Sequence, residues 1–210
     1  MNSDLTFITN EKNQTLLDRF RVLIKDTRFF DVLVGYFYTS GFHAIYKSLE
    51  KTEKIRILIG ISTNKEVFEL IQKSKEEQQP LLQFSHAEVK KQLEEDIAEE
   101  MEQSEDNPSV EEGVRKFIEW LRSGKLEIRA YPTENIHAKL YIMTFRKEDR
   151  DVGRVITGSS NFTAAGLRDN LEFNVELKTR ADYEFAKEQF NGLWKDAVDV
   201  KEKYLESIKT

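Results

Sequence analysis

Residues 137–144 read His-Ala-Lys-Leu-Tyr-Ile-Met-Thr. We predict that a β-strand runs from His137 to Phe145. Side chains on a strand point alternately to its two faces, so every second residue is expected to share a face. The face that carries the chemistry is predicted to hold His137, Lys139, Tyr141 and Met143. A histidine and a lysine that point the same way can act on one ligand, so this stretch predicts both a sheet and a candidate site.

A second motif, Gly158-Ser159-Ser160-Asn161, follows the next predicted strand. Glycine has no Cβ and lets the backbone approach a ligand closely, while a serine hydroxyl and an asparagine amide supply hydrogen bonds. An ammonium, a hydroxyl and an amide together suit a phosphate group. The residues expected to bind the phosphate of a substrate are Lys139, Ser159, Asn161 and Asn170.

A third motif, Asn170-Leu171-Glu172, lies at the start of a strand predicted from Leu171 to Thr179. Strict alternation predicts that its apolar residues point inward, namely Leu171, Phe173, Val175 and Leu177. The polar residues are then expected on the opposite face, either facing water or serving the site: Asn170, Glu172, Asn174 and Glu176. From that face Glu172 could accept the Nδ1 proton of His137 and leave Nε2 as the nucleophile.

The remaining pattern predicts an α/β fold in which a mixed β-sheet is flanked by helices, in one domain over residues 1–210. A parallel strand–helix–strand unit is expected near the N-terminus, because two apolar strands enclose a helix. The expected helices are residues 16–24, 41–51, 114–123 and 164–168, and one from Ala181 onward. The other expected strands are Phe29 to Tyr38, Lys54 to Ile61, Leu126 to Tyr131 and Arg154 to Thr157.

Acidic residues are concentrated in one segment. From Glu76 to Glu112 the chain has thirteen Asp or Glu and two Lys, a balance of −11, so the rest carries +5 within the total of −6. Residues 79–123 are therefore interpreted as a helical acidic insertion. It is either a solvated helical pair or an acidic flap that competes with the substrate. The mildly basic remainder permits contact with nucleic acid.

Composition excludes several classes of site. The chain has no cysteine, so disulfides, thiolate metal sites and a cysteine nucleophile are ruled out. The first residues do not resemble a secretory signal, and no run of about 18 apolar residues occurs, so a soluble cytoplasmic protein without a membrane partner is expected. No His-Glu-x-x-His pattern or carboxylate cluster accompanies the motif, so neither a metal nor a cofactor is expected.

These motifs resemble the phospholipase D superfamily, whose signature is His-x-Lys, four residues, Asp, and then Gly-Ser-x-Asn. Two departures occur here. The signature aspartate falls on Thr144, and the gap before Gly158 is lengthened by a charged segment, Arg146 to Arg154, which is interpreted as a longer hairpin. Nuclease branches of the superfamily that lack this aspartate keep the His, Lys, Asn and a downstream Glu. The resemblance therefore still implies activity, with His137, Lys139, Asn161 and Glu172 as catalytic residues.

Residues 30–42 and 55–62 resemble the phospholipase D-like domain at the front of bacterial helicases and of some restriction systems. This likeness implies that the chain is a module fused to, or associated with, a helicase. The expected substrate is then nucleic acid, with DNA favoured over RNA.

Superfamily active sites combine two such motifs, and this chain has one. The other histidines, His43 and His86, lack a lysine two residues later and are expected to be structural or solvated. The resemblance thus implies a homodimer in which His137 of each copy meets across a two-fold axis, without a divalent metal. Two other functions are considered: a phospholipase acting on lipid phosphodiesters, and a catalytically silent DNA-binding or dimerisation module, which Thr144 favours.

Overall fold

A computed structural model describes residues 6–11, 14–35, 37, 39–60, 108–131 and 136–199. These residues form an eight-stranded mixed sheet with the order β1-β7-β6-β5-β2-β3-β4-β8. The strands are β1 (Phe7–Ile8), β2 (Thr27–Val34), β3 (Lys54–Gly60), β4 (Leu126–Tyr131), β5 (Leu140–Phe145), β6 (Gly153–Gly158), β7 (Asn174–Leu177) and β8 (Val198–Asp199). The predicted α/β class is confirmed.

Parallel pairing joins β2 to β3 and β3 to β4, and every other neighbouring pair is antiparallel. The predicted parallel unit is therefore confirmed. Residues 146–152 join β5 to β6 as the predicted hairpin. Apolar runs such as Leu33-Val34 and Ile57-Leu58-Ile59 are buried throughout, since helices cover both faces of these central strands.

Four α-helices flank the sheet in the described part of the chain: α1 (Leu16–Leu23), α2 (Thr39–Ile45), α3 (Pro108–Ser123) and α4 (Arg180–Asp196). Thr15 and Thr179 cap α1 and α4, because each hydroxyl accepts a hydrogen bond from the backbone N–H three residues later. The predicted helix over residues 41–51 is shorter than expected. It ends at Ile45, and a separate 3-10 turn, Ser48–Lys51, follows.

Helices α1, α2 and α3 cover one face of the sheet, and α4 covers the other. The first layer is rich in stacked and edge-on aromatic rings, with Phe162 packed against Phe30, Phe37 and Tyr141. Across the sheet, Phe190 and Trp194 of α4 pack on Leu58 and Ile142. The core is therefore two apolar layers separated by the sheet.

The C-terminal part of the acidic segment belongs to the core. Helix α3 ends near Gly124 as predicted, and its Phe117, Trp120 and Leu121 are buried with α2. Gly124 has a φ of 76°, a conformation that glycine adopts readily after a helix. The sequence also predicts a helix from Lys65 onward and an apolar helical stripe of Val89, Leu93, Ile97 and Met101 within the acidic segment, and both lie outside the described residues. The division of the chain at residues 79–123 stays a prediction.

Candidate active site

One edge of the sheet brings the three motifs together. Because β5 is antiparallel to β2, and β6 to β5, the chain enters β5 and β7 where it leaves β2, β3 and β6. Leu140 pairs with both Leu33 and Thr157, and Gly158 pairs with Asn174. The residues just before β5, just after β6 and just before β7 are therefore neighbours.

His137 and Lys139 lie at this edge but precede the strand. The prediction that β5 begins at His137 was wrong, because regular pairing starts at Leu140. His137 is exposed and Lys139 is half-buried. The carbonyl of Lys139 accepts hydrogen bonds from Thr157 Oγ1 at 2.9 Å and from the Gly158 N–H at 3.4 Å. Lys139 Nζ donates to the carbonyl of His137 at 2.9 Å, so the two motif residues are tied together.

Ser159 and Glu172 meet directly. Ser159 Oγ donates to Glu172 Oε2 and accepts from the backbone N–H of Phe173 at 3.0 Å. Burial, and secondly the nearby Glu172 carboxylate, raise the pKa of Tyr141 well above its ordinary value. Glu172 is thus bound to Ser159 and close enough to the fully buried Tyr141 to affect the pKa of its hydroxyl. The predicted contact of Glu172 with Nδ1 of His137 stays a prediction.

Asn161 and Asn170 occupy different surroundings. Asn161 is half-buried, and its Oδ1 is buried without a hydrogen-bond partner in the described part of the chain. Asn170 is exposed and follows a π-helical turn, Ala165–Asp169, and its carbonyl accepts from Asn10 Nδ2 at 3.0 Å. Asn161 is therefore the amide with an unused acceptor, whereas Asn170 is held through its backbone.

The prediction of which side chains point inward in the strand around Glu172 was wrong. Leu171 and Phe173 are 67% and 62% exposed, whereas Asn174 and Glu176 are fully buried. The strand is also shorter than predicted, since β7 covers only Asn174–Leu177. Buried polar groups need partners, and both residues have them. Glu176 receives two hydrogen bonds from Arg19 at 2.6 and 2.8 Å, and Asn174 binds Ser160.

Three buried residues beneath the motif were not among the predicted site residues: Tyr141, Ser160 and Asn174. The Tyr141 hydroxyl donates to the carbonyl of Ser160 at 2.8 Å. Asn174 Nδ2 donates to Ser160 Oγ at 2.8 Å, and Asn174 Oδ1 accepts from the Ser160 N–H at 3.3 Å. One signal was the polar residue at every second position of the later strand, which we expected on the face opposite its apolar residues. The other was the place of Tyr141 on the predicted face of His137 and Lys139.

Thr144 lies at the opposite end of β5 from His137, where it pairs with Gly153 beside the hairpin. Its hydroxyl is 2.8 Å from the hydroxyl of Tyr183 and accepts from Lys187 Nζ at 3.4 Å. Lys187 and Arg56 also pair with the buried carboxylate of Asp31. The position of the missing signature aspartate therefore belongs to the contact between α4 and the sheet.

His43 lies on α2 and packs against α3, where a Cβ at Gly113 would be 2.8 Å from His43 Cδ2. Its Nε2 is buried without a partner among the described residues, and burial lowers its pKa below the ordinary value of 6.5. His43 is thus a structural histidine, as predicted. His86 lies outside the described residues. No helix in the described ranges is both long and apolar enough to cross a membrane.

Comparisons with solved structures identify similar folds. Phosphatidylserine synthase of Haemophilus influenzae superposes with a TM-score of 0.52 at 15% identity, over 95% of this chain and 40% of that chain. The phospholipase D family member Nuc of Salmonella typhimurium has a TM-score of 0.45 at 14% identity, over 87% and 88%. The archaeal chromatin protein TrmBL2 has a TM-score of 0.46 at 16% identity, over 95% and 56%.

The chain thus spans about half the length of two of these structures. A comparison with curated protein sequences finds no match. The model of the family described as "Cardiolipin synthase, PLD-like domain" matches residues 23–194, which include all three motifs and most of the sheet. The chain therefore belongs to the phospholipase D-like (PLD-like) family.

Proposed function

We propose that this chain is a metal-independent phosphodiesterase that cleaves nucleic acid, with DNA as the favoured substrate. The observation that carries the proposal is the meeting of an exposed His137, Lys139 and the Ser159–Glu172 pair at one sheet edge. An imidazole accessible to solvent can attack phosphorus, and an ammonium beside it favours the negative charge of the transition state. Glu172 supplies a carboxylate to the same edge.

The proposed reaction has two displacements. Nε2 of His137 attacks phosphorus, an N–P bond forms, and the bond from phosphorus to the leaving oxygen breaks as that oxygen takes a proton from His137 of a second copy. The second imidazole then accepts a proton from water, whose oxygen attacks phosphorus and breaks the N–P bond. Lys139, Ser159 and Asn161 are the groups proposed to bind the non-bridging oxygens, and Asn170 remains a further candidate.

A homodimer is part of the proposal because the chain has a single His-x-Lys motif. The surface beside the site supports it. Leu171 and Phe173 flank Glu172 and are largely exposed, and Phe7 on the neighbouring strand is 62% exposed. Phe7 pairs with Val175, so it lies on the same face of the sheet as Phe173. An isologous interface at this apolar patch would bring two copies of the site together.

The position of Thr144 supports activity over a silent DNA-binding module. Its hydroxyl contacts Tyr183 and Lys187 at the far end of β5, away from His137 and Lys139. Association with, or fusion to, a helicase rests on residues 30–42 and 55–62 alone. A phospholipid is the second substrate considered, because the family description names a cardiolipin synthase.

The test compares labelled single- and double-stranded DNA, RNA, and phospholipid vesicles incubated with the purified chain in EDTA. We expect wild-type protein to cleave nucleic acid, and His137→Ala and Lys139→Ala to lose at least about 100-fold in rate. Lys147→Ala is the matched control, since it removes an exposed lysine in the hairpin at the opposite edge. Cleavage of lipid alone would show that the substrate is a phospholipid and not nucleic acid. Binding without cleavage of any substrate would contradict the proposal that the chain is an enzyme.

A further inference from the structure

Every backbone and side-chain polar group of Ser160 is held by a buried side chain. Its N–H donates to Asn174 Oδ1 at 3.3 Å, its Oγ accepts from Asn174 Nδ2 at 2.8 Å, and its carbonyl accepts from the Tyr141 hydroxyl at 2.8 Å. All three residues are fully buried. Hydrogen bonds of this kind are strengthened where water is excluded. Ser160 is therefore fixed at three points.

The two neighbours of Ser160 are candidate phosphate ligands. Ser159 is exposed and bound to Glu172, and Asn161 is half-buried with an amide Nδ2 that is able to donate to a phosphate oxygen. Because these residues are consecutive, a shift of Ser160 displaces both side chains. Movement of about 1 Å in a reacting group can cost 100-fold in rate. The accuracy of the site thus depends on what holds Ser160.

We infer that Asn174 is the positioning residue for the Gly158–Asn161 turn, with Tyr141 as its second support; the inference rests on the proposed function of this site. Asn174 is fully buried, so it acts through Ser160 rather than on the substrate. The chain at Phe173 and Asn174 also lies close to Gly158. A Cβ at Gly158 would lie 2.6 Å from Asn174 Oδ1 and 2.2 Å from the Phe173 carbonyl oxygen, so only glycine fits.

The chemistry of the amide explains why asparagine suits this position. One side chain presents an acceptor to the Ser160 N–H and a donor to its hydroxyl. Alanine leaves both groups without a partner in a site closed to water. Aspartate has the same shape, and the serine hydroxyl can rotate to donate to it, although a buried carboxylate is unfavourable. Asn174→Asp is therefore the conservative variant.

The first measurement is steady-state cleavage of bis(p-nitrophenyl) phosphate in EDTA by the full chain, corrected for the folded fraction. For Asn174→Ala we expect kcat to fall about 100-fold with little change in KM, because Lys139 still attracts the phosphate. Asn174→Asp is expected to recover part of this loss. Thr27→Val is the control: it removes another fully buried hydrogen bond, to the Leu23 carbonyl, away from the site. It should lower stability and leave kcat unchanged.

The second measurement is amide hydrogen exchange at Ser159, Ser160 and Asn161, which needs no substrate. Asn174→Ala should speed exchange at Ser160 by at least about tenfold, whereas Thr27→Val should not under native conditions. Unchanged exchange or unchanged kcat in Asn174→Ala would overturn the inference. If wild-type protein cleaves nothing while Asn174→Ala still loosens the turn, the proposed function fails and the positioning role of Asn174 stands.

Discussion

The hydroxyl of Ser159 has two partners in this structure, since it donates to Glu172 and accepts from the Phe173 N–H. A hydroxyl has one proton, so Ser159 cannot give the same proton to a phosphate while it holds Glu172. In the substrate-free structure its proton therefore fixes the carboxylate at the sheet edge, and the proposed contact of Ser159 with a phosphate oxygen requires that this proton leave Glu172. This pairing is testable because Ser159 and Glu172 should act as a unit.

We predict that Ser159→Ala and Glu172→Ala each lower kcat by about 100-fold. The double variant should lose no more than the worse single variant, because removing either member of the pair frees the other. Steady-state kinetics of the three variants measures this coupling. Independent roles would instead multiply the two losses to about 10,000-fold, and that result would contradict the pairing.

His43 predicts a pH dependence of stability. Burial keeps its imidazole neutral in the folded chain, so its folded pKa lies below 6.5 and the unfolded chain binds the proton more readily. The free energy of unfolding should therefore fall as the pH drops below about 6.5, and level off only below the folded pKa. Urea unfolding at pH 7.5 and 5.5 should show this loss in wild-type protein.

The matched variants are His43→Leu and His137→Ala. His43→Leu should reduce the difference in stability between the two pH values, because the group that titrates is gone. His137 is exposed, so its removal should leave the difference as it is in wild-type protein. An equal pH dependence in His43→Leu and wild-type protein would assign the effect to other groups.

Helix α2 supports the segment that follows the Gly-Ser motif. Gly41 lies so close to this segment that a Cβ there would be 2.3 Å from the Phe162 carbonyl oxygen, and Ser40 Oγ accepts from the Ala164 N–H at 3.3 Å. Phe37 forms an isolated parallel bridge with Phe162. Residues Thr39-Ser40-Gly41 therefore have a structural role, because they pack against the segment that follows the candidate site.

We predict that Gly41→Ala destabilises the protein by about 1–3 kcal/mol, since the backbone of Phe162 and Thr163 must move to admit the methyl group. Gly192→Ala is the control within α4, where no atom lies within 4 Å of the added Cβ. That change should stabilise the helix by about 0.5–1 kcal/mol. Urea unfolding compares the two, and equal effects would contradict the packing argument.

The proposed dimerisation would give the assembled molecule a second half-site, and we propose the apolar patch of Phe7, Leu171 and Phe173 as the contact. These side chains are largely exposed on the β1–β7 side of the sheet, next to Glu172. Exposed apolar surface that adjoins an incomplete site favours association with a second copy. Activity should then depend on protein concentration near the dissociation constant.

We predict that Phe173→Asp yields a folded monomer with little cleavage activity, whereas wild-type protein sediments as a dimer at micromolar concentration. Burying a new carboxylate at the interface opposes association. Phe185→Asp is the matched control, because Phe185 is 66% exposed on α4 and lies outside the patch. A wild-type monomer with full activity, or a dimeric Phe173→Asp, would contradict the shared site.

Local sequence patterns predicted most of the fold correctly. Apolar runs at β2 and β3 and the helical spacing of α1, α3 and α4 involve neighbouring residues, so they can be recognised without a structure. The ends of the strands were predicted less accurately. His137 and Lys139 continue the alternation of β5, yet they lie beyond its last regular pair with Leu33. The alternation of side chains along one strand does not show where the pairing with its neighbouring strand ends.

The amino-acid sequence alone predicted His137, Lys139 and the Gly-Ser-Ser-Asn turn as candidate site residues, because the chemistry of a site depends on residue types and short spacings. Which side chains of the segment around β7 point into the core was decided only in the folded chain. Leu171 and Phe173 were expected inside and are exposed, while Asn174 and Glu176 are buried. Their partners, Ser160 and Arg19, come from other elements, so tertiary contacts outweigh hydrophobic alternation. A buried polar residue is stabilised by partners that only folding brings within reach.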